Sequence, residues 1–402
     1  MRRIWLAVAV AMSLFLGACG DTDDNSSAQE TSDEPIVVGA SLSLSGDFSV
    51  PGESAREGYE FWVEQVNADG GLLGREVELR ILDDGSDPQQ VVTNYEELMG
   101  GDGADLLLGP FSTFLTAPSA VVAQRNGYAM VTGMGGGPEV HEQGLDNVFN
   151  VVIAHSLLMR SFADAMLEME NGPSTAAYVT LDDPFTTSQV DFARQELEAG
   201  GVETVVNELY PPTTKNFRPI ATKVAASNAD IVVAGSGFPD LVAFVETFSQ
   251  EGYQPKALIS AGGADEIEAF KDALGSRTEG IMIPGFWTPT LGTDANQEFV
   301  DGYVDSFGGE PHEISVTTSQ AYTAADVLGQ AVEAANSLDQ DAIIEAINST
   351  RFDSIMGPVE VNEVGENEAI DALQLQWQGP GLKAVLPPDL AEAEFIYPKP
   401  EW

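Results

Sequence analysis

Short apolar runs of strand length alternate with stretches of helical period along almost the whole chain, and the series runs through twice. Such a pattern leaves few folds open. Strands apolar on both faces need helices over each face, so each series of βα units closes into a parallel sheet between two helical layers. In the first series Ile36–Leu44 reads as a strand. The helix after it carries Tyr59, Trp62, Val63 and Val66 at i, i+3, i+4 and i+7. Further strands are predicted at Val77–Leu82, Ala104–Leu108 and Tyr128–Thr132, with helices from Asp87-Pro88 to Met99 and over 117–126. The second series opens with a helix over 156–169. It places strands at 175–180, 204–209, 231–234, 257–260 and 280–284, with helices over 187–199, around Phe217–Val224 and over 241–251. Helices near 295–307, 318–337 and 340–349, a hairpin-like stretch over 357–377 and a proline-containing tail complete the chain. The predicted class is α/β, with two doubly wound parallel-sheet lobes.

The N-terminus carries its own signal. Met1-Arg2-Arg3, the apolar run Ile4–Leu16 and the small residues before Cys19 have the layout of a secretory leader. The run is shorter than the ~20 residues of a transmembrane helix. Leu16-Gly17-Ala18-Cys19 is similar to the bacterial lipobox, so residues 1–18 are expected to be removed and Cys19 lipidated; a plain signal peptide is the alternative. Cys19 is the only cysteine, which leaves no disulfide framework. Residues 19–35 are acidic and polar and read as a disordered tether. The one expected membrane contact is the lipid.

Asp and Glu number 64 against 17 Lys and Arg, for a net charge of −47. A nucleic-acid partner is excluded, because phosphate contacts need a basic face. The acids are dispersed and read as solvated surface, of a kind that suits high salt.

Enzyme motifs fail in turn. VTGMGGGPEV (131–140) packs glycines after a strand, which suits positive φ or close backbone approach. A dinucleotide fingerprint begun at Gly133 and Gly135 would need glycine at Pro138, and one begun at Gly235 and Gly237 fails at Asp240. No serine has the spacing of a nucleophile elbow. His141, His155 and His312 are too sparse for a metal site, and each is expected on the surface or satisfied in a partial core. Asp83-Asp84 and Asp182-Asp183 follow strands and precede proline turns, so they read as turn and cap residues. No cofactor, metal or catalytic residue is expected.

Ordered motifs point to a family. Ser45-Gly46-x5-Gly52-x5-Gly58, Val66-Asn67-x2-Gly70-Gly71-x2-Gly74 and Asp83-Asp84-x2-Asp87-Pro88 are followed by Gly109, Pro138-Glu139, Gly357 and Tyr397-Pro398-x-Pro400. In this collinear order the chain resembles the leucine/isoleucine/valine-binding proteins, type I solute-binding proteins of ABC importers. The resemblance implies two lobes joined by a three-crossover hinge. The N-terminal lobe would be 36–152 plus 285–355, the C-terminal lobe 153–284 plus 356–378, and 379–402 a tail.

Open parallel sheets bind ligands beyond the carboxyl ends of their strands. The candidate loops are therefore those after Leu108, Thr132, Thr180, Ala234 and Ser260. Ser112 and Thr113, next to Phe111, start a helix and offer hydroxyls and free N–H groups to a carboxylate. By the resemblance, Thr113 stands where the family has a ligand-binding serine. Met134 and Gly136, flanking Gly135, stand where it uses a carbonyl and a threonine hydroxyl, so Gly136 would enlarge the site and remove a hydroxyl. Phe185 and Phe238 match pocket aromatics, and Phe48 and Trp287 fall on inward loops. Gly262 stands where amino-acid binders carry the acid that pairs with the ligand ammonium. Either Asp265 substitutes, or the ligand is an amide, a carboxylate or a urea-like compound without an α-ammonium. The implied function is capture of a small organic solute by a monomeric, tethered, extracytoplasmic receptor that delivers it to an ABC permease and ATPase. A ligand sensor of the same fold is the alternative.

Overall fold

The computed structural model describes residues 34–402 apart from 102 and 266. The leader, Cys19 and the tether up to Asp33 lie outside the described residues. The chain first forms β1 (Ile36–Leu42), α1 (Ser49–Ala68), β2 (Val77–Asp83), α2 (Pro88–Leu98), β3 (Leu106–Leu108), α3 (Thr113–Arg125), β4 (Met130–Thr132), α4 (Pro138–His141) and β5 (Val148–Ile153). It then crosses to α5 (Arg160–Glu168), β6 (Thr175–Leu181), α6 (Pro184–Ala199), β7 (Glu203–Tyr210), α7 (Arg218–Ser227), β8 (Ile231–Gly235), α8 (Phe238–Glu251), β9 (Ala257–Ser260), α9 (Ile267–Leu274) and β10 (Ile281–Gly285). A return crossover leads to α10 (Asp294–Phe307), α11 (Val316–Ala335), α12 (Gln340–Ser349), β11 (Phe352–Ser354), β12 (Gly357–Val359) and β13 (Glu366–Asn367). The last crossover enters β14 (Leu373–Gln378) and β15 (Gly381–Leu386).

The first sheet has the order β13-β5-β4-β3-β1-β2, every neighbour parallel. The second has the order β15-β14-β10-β9-β8-β6-β7, parallel from β7 to β10 and antiparallel at β14 and β15. Helices cover both faces of each. In the first lobe Tyr59 and Trp62 of α1 join Ala324 and Leu328 of α11 over one face, while Val91 and Tyr95 of α2 and Leu115 of α3 cover the other. In the second, α7 and α8 bury Val224, Phe244 and Phe248 on one face, and α5 and α6 bury Phe162 and Val190 on the opposite one. Both lobes start a helix with Asp-Pro. Asp87 accepts from the Gln89 and Gln90 N–H groups at 2.8 and 2.9 Å, and Asp183 from the Phe185 N–H at 3.0 Å. Each cap satisfies N–H groups that the helix itself leaves unbonded.

Two stretches depart from the expected layout. Residues 356–370, expected in the second lobe, remain with the first. β11 and β12 form a short hairpin there, Phe352 and Val359 close the first core, and Asn367 donates to the Val151 carbonyl at 3.0 Å beside the β13–β5 pairing. The 379–402 stretch is no free tail. β15 pairs along β14, Val385 and Leu386 are buried, and the Trp402 indole donates to the Tyr253 carbonyl at 2.7 Å.

Candidate functional site

Strand order reverses between β1 and β3 in the first sheet and between β6 and β8 in the second. Loops leaving the carboxyl ends there diverge to opposite faces and open a crevice. The two crevices share one cavity of about 840 Å³, lined from both lobes and the crossovers. The loop after β1 brings Phe48 to it, that after β3 brings Phe111, Ser112 and Thr113, and that after β4 brings Met134. From the second lobe come Phe185 after β6, Phe238 after β8, and Gly262 and Asp265 after β9. All five loops singled out in the sequence reach the cavity.

The first-lobe wall is held by its helix start. Ser112 caps α3, its hydroxyl accepting from the Leu115 N–H at 3.3 Å. The Thr113 hydroxyl accepts from the Gly137 N–H at 3.1 Å, which leaves its own hydrogen to donate. Phe48 and Phe111 pack edge to face with centroids 5.6 Å apart. On the opposite wall Phe238 begins α8 and meets Phe270 edge-on at 6.5 Å. Asp265 is exposed and accepts from the Gly263 N–H at 3.0 Å. Gly262 has room beside it, since a Cβ there would meet only the Ser236 carbonyl at 3.4 Å.

Three expected residues do not line the cavity. Trp287 is buried among Phe299, Leu291 and Ile355 near the crossovers, its indole donating to Asn296 at 2.5 Å. Gly135 and Gly136 serve packing instead. A Cβ on Gly135 would lie 1.9 Å from the Thr116 hydroxyl, and one on Gly136 2.4 Å from the Asn150 amide. Gly133 and Gly137 are crowded in the same way by the Gln320 carbonyl and by Thr113, and none of the four has positive φ. The glycines of VTGMGGGPEV therefore let the loop press against α3, α11 and β5. Asn150 fills the space that Gly136 was expected to leave open.

Other lining residues carry no sequence signal of their role. Phe114 on α3 and Phe286 after β10 raise the wall's phenylalanines to six, with Phe48, Phe111, Phe185 and Phe238. Glu139 and Asp183 join Asp265 there, and no Lys or Arg is among the described residues that line the cavity. Gln320 and Thr317 of α11 add neutral polar side chains to the lining. Asp240, in the first turn of α8, is buried behind the lining residues and receives the Tyr210 hydroxyl.

His155 differs most from expectation. It lies on the first crossover, lines the cavity and is 4% exposed, yet neither ring nitrogen has a partner among the described residues. Its ring meets Phe185 edge to face at 5.3 Å and Phe286 at 5.5 Å. Burial, with His141 nearby, pushes the imidazole down to about 3, so the ring is neutral. An unmade hydrogen bond at a buried polar atom costs about 1–3 kcal/mol. His141 is also buried, its Nδ1 on the Val364 carbonyl at 2.9 Å, while His312 is exposed.

The geometry agrees with comparison to known proteins. The family model for the periplasmic binding protein matches residues 35–375. Leu/Ile/Val-binding protein homolog 7 of Brucella suis biovar 1 (strain 1330) is 24% identical over 418 aligned positions, covering 99% of this chain and all of that one. Among solved structures, an ABC transporter substrate-binding protein from Sphaerobacter thermophilus superposes with a TM-score of 0.75 at 22% identity, over 92% of this chain and 98% of that one. An ABC transporter solute-binding protein from R. palustris, in complex with benzoate, gives 0.72 at 21% identity over 90% and 99%. With two switch-point crevices facing one cavity and a family match across both lobes, the chain belongs to the periplasmic binding protein family and has its type I fold.

Proposed function

We propose that this protein is an extracytoplasmic solute-binding lipoprotein, anchored through Cys19, that captures a small organic solute between its lobes and delivers it to an ABC permease. The cavity carries this reading, because its walls come from both lobes and are rich in phenylalanine. A fully buried apolar side chain or ligand group of that size gains roughly 1.5–3 kcal/mol, which suits an apolar or aromatic body. Ser112, Thr113 and the start of α3 suit a carboxylate on it. The solute is thus a branched-chain or hydrophobic amino acid, or a related amide or carboxylate. Differential affinity for the closed arrangement drives closure and presents the loaded form to the permease.

A thermal-shift screen with leucine-type amino acids, their deaminated analogues, amides and benzoate tests the reading. At a hundredfold excess over Kd a true ligand stabilises by about 2.7 kcal/mol, so one class is expected to raise Tm clearly. Amino acids that stabilise while deaminated analogues do not establish an ammonium site despite Gly262. Thr113→Ala is expected to weaken the best ligand about tenfold, through one lost charge-assisted hydrogen bond, while Thr113→Ser stays near the parent. Unchanged affinity in Thr113→Ala removes the carboxylate assignment.

A further inference from the structure

His155 is a polar group retained in the wall of the cavity, and neither of its ring nitrogens has a hydrogen-bond partner among the described residues. Its neighbours there are the rings of Phe185 and Phe286, and its own backbone N–H is taken by the Gly136 carbonyl at 3.3 Å. Buried polar groups in folded proteins are almost always paired, so each exception calls for an explanation, and His155 is one that lines the cavity. We propose that His155 hydrogen-bonds the captured solute and selects one bearing an uncharged group that both donates and accepts, a hydroxyl or a carboxamide, on an apolar body; this rests on the solute-capture reading above.

The chemistry follows from the imidazole and its surroundings. A neutral ring has one N–H donor and one acceptor nitrogen, so a group with both capacities is met by either tautomer. A charged group placed against His155 would be desolvated among phenylalanine rings without an ionic partner on the histidine. A plain hydrocarbon end would leave both nitrogens unmade. The polar group of the solute therefore lies at the crossover, and a carboxylate, where the solute has one, goes to the hydroxyls of Ser112 and Thr113.

Calorimetry on the full chain with matched pairs tests this: phenylalanine with tyrosine, benzoate with 4-hydroxybenzoate, and leucine with its near-isostere asparagine. At least one polar member is expected to bind about tenfold tighter than its partner or better. That ratio is expected to fall to about twofold or less in His155→Phe and to recover in His155→Gln, which keeps a donor and an acceptor. Thermal melts establish that each variant is folded, and His155→Leu replaces His155→Phe if the larger ring unfolds the crossover. Binding without discrimination in the parent, or discrimination that survives in the folded variants, overturns the role of His155 and leaves solute capture standing. No binding by any of the six compounds removes the capture reading for these classes, and the His155 assignment with it.

Discussion

Adjacent glycines in the loop after β9 answer to different constraints. Gly263 has φ +87°, and a Cβ there would lie 2.5 Å from the Phe238 nitrogen and the Gly237 carbonyl carbon. Gly262 has ordinary φ and open space. Gly263→Ala is therefore expected to destabilise by more than about 2 kcal/mol, and Gly262→Ala by less than about 0.5 kcal/mol. Urea unfolding of the two variants measures the difference; equal losses would show that the loop relaxes freely. At this scale the sequence was legible where a residue acts through its own chain neighbourhood. Ser112 and Asp183 cap the helices they precede. His155 was not legible, since its lack of partners depends on Phe185 and Phe286, which are far away in sequence.

Most strands and helices follow directly from the apolar period, and the exceptions have local causes. β5 is buried throughout, but Asn150 interrupts its apolar run; only the fold shows that the amide turns back to the Val152 carbonyl at 2.9 Å. β13 spans two residues, too few for any period to show. β15 carries Gly381 and Lys383 and follows a turn, so it resembles a tail until it pairs with β14. Its contribution can be measured. Ending the chain after Gln378 removes buried Val385 and Leu386, each worth about 1.5–3 kcal/mol, and the Trp402–Tyr253 bond, and leaves β14 as a bare edge. The truncated protein is expected to melt at least ~5 °C lower, with faster amide exchange in β14 and β10. An unchanged melting temperature would make β15 dispensable.

Across the whole molecule, 64 acids face 17 basic residues. Pairs such as Arg80–Glu97 and Arg125–Glu96, both at 2.7 Å, are exposed and neutralise few of the carboxylates. The remaining self-repulsion is screened by salt, whose Debye length falls from ~10 Å at 0.1 M to ~3 Å at 1 M. The melting temperature is expected to rise from low to molar potassium chloride, and a fall would mean that ion pairs outweigh repulsion. By itself the sequence determined two βα series, their parallel sheets and the five loops that meet at the cavity, because strand and helix periods are properties of contiguous residues. The tertiary structure alone decided that the glycines of VTGMGGGPEV are packing contacts, that Trp287 belongs to the core, that 356–370 stays with the first lobe, and that His155 is buried in the wall with no hydrogen-bond partner among the described residues. Burial and hydrogen-bond satisfaction depend on atoms brought together from distant parts of the chain, and no local pattern carries them.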